Sequence, residues 1–356
     1  MLNQFKNFAA VAIICSSGLF AACGGGGGQS EAPSSAQTLP PAATPAPVAT
    51  ATVKLKPPIL SFTDTGLNVS DGVTRNGLWS VTNDGYSWEF SLNMGASWTR
   101  GVGDWFEVKG DGPKMIWVRS FDDLGNTSEI VVVNCVLDTA APQAVSVAAQ
   151  TEGVTRALTI VGLETGAQWE YSLDDRTTWW PGSGSSLGVL GNGVKRLWIR
   201  QLDIAGNASA PQATELEQSG TPVWHEASGD PLQPSVLATT GLRTMLIHGS
   251  VVRGDADYVR FDIPAGFRLK SVKLVEYASD DKIAFYAIQR APVFNAGFDV
   301  SRMLVYGHMG PQDLARNVMA SLPTEQLDAG SMTLWFQQTG PLPTRYAIEV
   351  MLQPVN

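Results

Sequence analysis

Two stretches of this chain spell nearly the same phrase. Trp88–Trp98 reads WEFSLNMGASW and Trp169–Trp179 reads WEYSLDDRTTW, 81 positions apart (169 minus 88). Sliding the chain on itself at that offset, without a gap, aligns GVTR at 72–75 with GVTR at 153–156, and Gly85 with Gly166. Trp117-Val118-Arg119 meets Trp198-Ile199-Arg200, and Asp122, Gly125, Asn126 and Ser128 meet Asp203, Gly206, Asn207 and Ser209. A register held over that distance is a tandem domain repeat, so one solution to core burial is used twice. Each copy has the length of a seven-stranded sandwich.

Strand periodicity assigns sides within each copy. In WEFSL, alternation puts Trp88, Phe90 and Leu92 on the core face and Glu89 and Ser91 on the other; Trp169, Tyr171 and Leu173 repeat the pattern. The closing Trp98 and Trp179 are read as core residues too. DDLGNTS and DIAGNAS read as hairpin turns in which Gly and Asn take positive φ and the Asp caps the bend. In MIWVRS, the β-branched Ile116 and Val118 face inward, which points Trp117 and Arg119 outward; Leu197 and Ile199 do the same for Trp198 and Arg200. Glu89 and Glu170 are expected on those outer faces, pairing with Arg119 and Arg200, with arginine stacked on tryptophan. Trp180 follows Trp179 and turns outward by alternation. Trp105 has Ser186 as its counterpart, so the repeat does not require it for the core. Trp117, Arg119, Trp198, Arg200, Trp180 and Trp105 are therefore the candidate ligand-binding residues, for a glycan or a protein. The alternative is that they seal contacts between successive domains.

These motifs carry a resemblance. WEYSLDDRTTW followed by LWIRQLDIAGNAS is similar to the bacterial immunoglobulin-like repeats of large surface adhesins, over roughly residues 60–218. The resemblance implies a sandwich fold and says little about ligand. Copy two departs from it at the first turn, with Arg176 where copy one has Gly95.

The remainder shares none of the repeat's landmarks. Its runs TMLIHGSVV, DYVRFDIP, LKSVKLVEYA, IAFYAIQRA, MTLWFQQTG and RYAIEVMLQ read as alternating strands. GDADYVRFDIPAGFRL and GSMTLWFQQTGPLPTRYAIEVML resemble the pre-peptidase C-terminal type of β-sandwich, which implies a binding or folding-assistance module appended to secreted and surface proteins. The fold class is therefore all-β: two tandem immunoglobulin-like sandwiches, then a jelly-roll-like sandwich.

The amino-terminal stretch MLNQFKNFAAVAIICSSGLFAAC has one Lys, an apolar run and small residues before Cys23, and reads as an export signal. Leu19–Cys23 resembles the lipobox of bacterial lipoproteins, which implies acylation of Cys23, a membrane as partner and, with glycine in the next position, the outer membrane. Several acyl chains hold where one does not. The Gly-, Pro-, Ala- and Ser-rich segment after it cannot bury a core and reads as a disordered tether. The expected organisation is 1–22 signal, 23–57 tether, 58–141 and 142–220 the two repeats, and 221–356 the final sandwich.

Reactive chemistry is sparse. The 3 His, 225, 248 and 308, lie far apart without metal-ligand spacing. PGSGSS at 181–186 has a loop's glycines without the strand-turn-helix setting of a nucleophile elbow. Once Cys15 leaves with the signal and Cys23 is acylated, Cys135 is the one remaining of 3 Cys and is read as a buried core thiol. A net charge of −9 with mixed signs offers no basic stripe, so nucleic acid is not an expected partner. Calcium is the one cofactor considered: Asp255 and Asp257 in GDADY alternate at a strand start and could face one ion. The expected function is non-catalytic adhesion or ligand capture at the cell envelope. The alternatives are a structural or assembly protein, or an accessory subunit of a secreted hydrolase.

Overall fold

Why the repeats are sandwiches is visible in which residues leave water. A computed structural model describes residues 54–152, 155–191, 196–215 and 226–355. The signal, residues 23–53 of the tether, Cys23 and His225 lie outside the described residues; the last tether positions, 54–57, are corrected, since Leu55 is buried and Lys54 and Lys56 pair with Glu129 and Asp84 at 2.8 Å each. The first repeat contains β1 (Ile59–Phe62), β2 (Val73–Thr74), β3 (Leu78–Thr82), β4 (Ser87–Ser91), β5 (Thr99–Arg100), β6 (Trp105–Glu107), β7 (Gly112–Phe121) and β8 (Val131–Leu137). A three-stranded sheet, β1-β3-β6, faces a five-stranded one, β2-β8-β7-β4-β5. Trp79, Val81, Trp88, Phe106, Ile116, Val118 and Cys135 fill the space between them. Cys135 is a free, buried thiol.

The second repeat contains β9 (Ser146–Glu152), β10 (Thr155–Val161), β11 (Gln168–Ser172), β12 (Trp180–Pro181), β13 (Ser186–Gly191), β14 (Arg196–Leu202) and β15 (Gln212–Glu215). Its sheet β12-β11-β14-β15 repeats the order β5-β4-β7-β8 of the first copy. The remaining strands are β16 (Ser235–Leu237), β17 (Thr244–Val251), β18 (Ala256–Ala278), β19 (Ala284–Gln289), β20 (Val305–Met309), β21 (Asp328–Gln338) and β22 (Thr344–Pro354). Apart from three short 3-10 turns, regular structure among the described residues is all strand. The protein is an all-β chain of immunoglobulin-like and further β-sandwiches.

The third sandwich is made by one long strand serving two layers. β18 pairs with β21 from Ala256 to Ile263, then with β22 from Phe267 to Ala278, with the register shifting between the two halves. The first half joins β21, β19 and β20; the second joins β22 and β17. Phe261, Val272, Leu274, Phe336, Tyr346 and Ile348 are among the residues packed in the shared core.

The second and third sandwiches share a sheet. β13 pairs with β17 in parallel, Leu187 opposite Thr244 through Gly191 opposite His248. β9-β10-β13-β17-β22-β18 is therefore continuous. Its two faces feed different cores: Met245, Ile247, Ile348 and Val350 belong to the third sandwich, whereas Leu246 and Ala347 pack with Trp169, Tyr171 and Leu187 of the second. Strands buried on both faces carry apolar residues at both parities, as Met245-Leu246-Ile247 and, apart from Glu349, Tyr346–Leu352 do. One polar pair is sealed in the contact. Tyr171 Oη donates to Glu349 Oε2 at 2.9 Å, with Lys273 Nζ 3.7 Å from the other oxygen, and burial raises the Glu349 carboxyl above its ordinary value.

The edge chemistry explains why only one repeat is joined this way. In the first copy, β6 ends at Glu107, ion-paired to Lys109 at 3.1 Å; both are exposed, and such charges blunt a sheet edge. At the same offset the second copy has Gly188 and Leu190, both buried. A Cβ on Gly188 would lie 2.6 Å from Leu242 Cδ1 and 3.2 Å from Met245 Cγ, so a side chain there must displace core residues. A Cβ on Gly191 would overlap the backbone oxygen of His248, so the join needs a bare backbone at that end. The two repeats meet through a hairpin instead. Asn207 Nδ2 donates to Asp138 O, Thr65 Oγ1 donates to Ala205 O at 3.1 Å, and Leu67 N donates to Ile204 O at 3.1 Å. Residues 53–356 thus make one compact unit.

Gly188→Glu should destabilise the protein by roughly 3 kcal/mol or more through overpacking and a buried charge. Urea unfolding would measure the loss. An unchanged midpoint would mean that the β13–β17 join contributes little.

Candidate functional site

The repeated motif builds the same outer cluster twice. Ile116 and Val118 are fully buried, and Arg119 lies beside Glu89 in the β4–β7 register. Arg119 donates to Glu89 Oε1 through Nε at 2.7 Å and Nη2 at 2.6 Å. In the second copy Arg200 Nε and Nη2 donate to Glu170 Oε2 at 2.9 and 2.8 Å. Both pairs are expected from the sequence, and both are about three-quarters or more shielded, with exposures of 26%/15% and 25%/18%.

The tryptophan under each arginine differs from the sequence reading. Arg119 lies over Trp98 and Arg200 over Trp179, each 4.0 Å from the ring centroid. Trp98 and Trp179, read as core, are half-buried on the outer face, and Trp180, read as outward, packs against the second repeat's core opposite Tyr171. The cause is the intervening turn: Asp175 and Arg176 take φ of 52° and 73°, which resets the alternation. Leu92 is also corrected, being exposed once β4 has ended; Ser91 is buried instead and its Oγ accepts from Gly95 N at 2.8 Å. In the hairpins, Gly125 and Gly206 take φ of 83° and 87°, whereas Asn126 and Asn207 do not have positive φ; their amides donate to Asp122 and Asp203.

Trp117 and Trp198 are half-buried members of these clusters, each with an indole Nε1 that has no protein acceptor. Gly95 packs on Trp117; its replacement Arg176 keeps the positive φ and lays its guanidinium over Trp198, 4.3 Å from the centroid. Trp105 is 56% exposed on the free β6 edge. The six candidate residues do not come together: Trp180 is packed inward, Trp105 lies on the opposite sheet, and the other four are divided between two domains and engaged by their own neighbours.

A better-formed site lies on the third sandwich. Trp335 on β21 sits between Ala287 on β19 and Tyr258 on β18. Tyr258 stacks on it at 5.8 Å between centroids, while Phe294 and Phe285 meet it edge-on at 5.3 and 4.8 Å. Phe298, 5.7 Å from Trp335, is 88% exposed. The loop carrying Phe294 and Phe298 is tied down by buried Gln289, whose Oε1 accepts from Asn295 N and Ala296 N at 3.0 Å each. Phe294 N donates to Pro231 O at 2.8 Å, and Arg302 Nη1 donates to Asn295 O at 2.8 Å. Tyr258, Phe294, Phe298 and Trp335 line an open cleft of about 390 Å³, with Asp255 and Gln337 as its other polar side chains. Trp335 Nε1 is buried and has no protein acceptor.

Asp255 belongs to this cleft, but Asp257 does not. β18 starts at Ala256, so strand alternation does not extend back to Asp255, which sits in a turn. Asp257 is 1% exposed and accepts from Tyr346 Oη at 2.6 Å inside the core. The expectation that both acids face one calcium ion is corrected on that ground. Among the described residues no group of three or more His, Cys, Asp or Glu could hold a metal ion. His308 is exposed with its ring edge-on to Phe285 at 5.7 Å, whereas His248 is buried with Nε2 3.3 Å from Glu276 Oε2.

No family model matches the chain, and no curated protein matches it in sequence. Among solved structures it is similar to the fibronectin(III)-like modules of Clostridium thermocellum CbhA, at 13% identity and a TM-score of 0.31, covering 46% of this chain and 99% of that one. Carbohydrate-binding modules from the β-sandwich superfamily align at 9% identity and a TM-score of 0.21, over 85% and 94%. The FN1-FN3 domains of chicken CNTN1 align at 10% identity and a TM-score of 0.18, over 81% and 96%.

Burial pushes the Asp257 carboxyl from 3.8 up to about 7, against the hydrogen bond from Tyr346 and with help from the Asp255 and Glu226 charges. Between those values the folded chain keeps a proton that the unfolded chain has released. Stability from this group is therefore present at low pH and is lost as pH rises towards 7. Asp257→Asn should match the parent near pH 4 and gain on it by up to ~4 kcal/mol by pH 8. Denaturant titrations at the two pH values check this; an equal difference at both would show that Asp257 does not titrate in that window.

Proposed function

We propose that this is a non-catalytic, lipid-anchored protein of the bacterial cell envelope whose third sandwich captures a ligand. The observation that carries the reading is the aromatic cleft, where Phe298 is held out in solvent over a floor of packed rings. A large ring in water is unfavourable by roughly 25 cal/mol per Å² of apolar surface, and here a hydrogen-bonded loop holds it there. Exposed aromatic groups beside a concave, partly polar cleft are the usual means of recognising a ligand. Attachment rests on the sequence: the acylated Cys23, the signal before it and the tether after it, with the pre-peptidase-like character of the last sandwich also a reading of sequence. The absence of a catalytic role is part of the proposal.

A structural role is the second reading. It is favoured by the two Arg-Trp-Glu clusters, whose aromatic groups are engaged inside their own domains.

Cys23→Ser should abolish palmitate labelling and move the protein from the membrane to the soluble fraction. Persisting label would overturn the anchor. Cosedimentation with intact sacculi and with outer-membrane vesicles, using the full chain in detergent micelles, tests the cleft. Phe298→Ala should reduce retention at least tenfold with the unfolding midpoint unchanged. Retention indifferent to Phe298 would favour the structural role, and release of soluble fragments from the polymer would replace binding with hydrolysis.

A further inference from the structure

The cleft of the third sandwich has a composition that discriminates among ligands. Its floor rings are nearly closed to solvent: Phe294, Trp335 and Tyr258 are 2%, 5% and 8% exposed. Only Phe298 offers a free ring face. A quaternary ammonium group is held best by several ring faces converging on one charge. A single platform beside hydrogen-bonding groups suits a different shape, a flat molecule with an apolar face and a polar rim.

The polar groups fit that shape. Asp255 supplies two acceptor oxygens, and Gln337, paired on β21 with the neighbouring Ala256, supplies both a donor and an acceptor. Gly229, Gly254 and Gly297 line the same space, so peptide groups there are not screened by side chains. No Lys or Arg lines the cleft, and its one ionisable acid is Asp255. An anionic ligand would meet a like charge with no cation to offset it.

A neutral pyranose meets all of these conditions. One face of the ring presents C–H bonds that carry slight positive charge and lie well on an aromatic π-face, while equatorial hydroxyls point outward to acceptors and donors. The volume of about 390 Å³ accommodates one or two sugar residues. Resting on the ligand-capture reading above, we infer that this cleft binds the end of a neutral glycan, stacked on Phe298 and hydrogen-bonded by Asp255 and Gln337, and that it disfavours uronic acids.

The test is calorimetric titration of the full chain in detergent micelles with cellohexaose, mannohexaose, chitohexaose, an oligogalacturonate and phosphocholine. Binding of at least one neutral hexasaccharide is expected, at least tenfold tighter than the oligogalacturonate. Phe298→Ala should weaken it at least tenfold, Phe298→Trp should retain it, and Asp255→Ala should weaken it severalfold. Preference for chitohexaose over the plain hexoses would point to an amino-sugar polymer of the envelope, the reverse to an exogenous hexose polymer; either supports the inference. Tighter binding of oligogalacturonate or phosphocholine would overturn it. So would binding unaffected by Phe298→Ala, or no binding of any neutral probe. If no probe binds while Phe298 still governs cosedimentation, the sugar assignment fails alone. If both are lost, the capture reading fails with it.

Discussion

The parallel pairing of β13 with β17 is the constraint on which the rest of the unit depends. Without it, the second repeat and the third sandwich would be separate bodies joined by a linker. With it, one sheet carries a core on each face, and Leu187 and Val189 look into one core while Leu190 looks into the other. The strands at the join, β13, β17 and β22, then have two apolar sides to bury, whereas β9 and β10 keep one side open to water. The polar exceptions are few, and Glu349 and His248 are each partnered where they are enclosed. Removing one partner from such a pair leaves a buried charge, which is costlier than never having built the pair.

The two repeats show how one motif tolerates different surroundings. In both copies of the Asp-x-x-Gly-Asn hairpin the Asn backbone N–H and side-chain amide donate to the Asp carboxylate. In the second copy the hairpin is buried against the first, where a Cβ on Gly206 would lie 2.5 Å from Thr65 O. The exchange of Gly95 for Arg176 works similarly. The turn keeps its left-handed backbone, and the new side chain covers Trp198.

Much of this was legible from the residues alone. The offset repeat implied the paired sandwiches, and β-branched alternation correctly turned Arg119 and Arg200 towards Glu89 and Glu170. Alternation misassigned Trp98, Trp179 and Trp180, because parity does not survive a turn containing positive φ. The shared sheet had a signal in YAIEVML, where apolar residues occupy both parities and Glu349 alone interrupts them, a pattern that reads as a strand without a wet face. The cleft had almost none. Its rings come from β18, β21 and the loop at 291–299, and nothing local in FNAGFD separates the buried Phe294 from the exposed Phe298. That distinction is created by Gln289, which fixes the loop from a neighbouring strand.

The shared layer also sets the order in which the chain can mature. Ala347, on β22, lies in the core of the second repeat, yet it is made 176 residues after Tyr171 (347 minus 171), against which that core packs. As synthesis proceeds, the first repeat can close on its own strands. The second cannot, and its sheet edge at Gly188 and Leu190 stays uncovered until β17 and β22 emerge. Non-local pairings of that kind are slow to form and expose strand edges meanwhile. The same bare edge that makes the finished protein one body is thus its point of greatest vulnerability before it is finished.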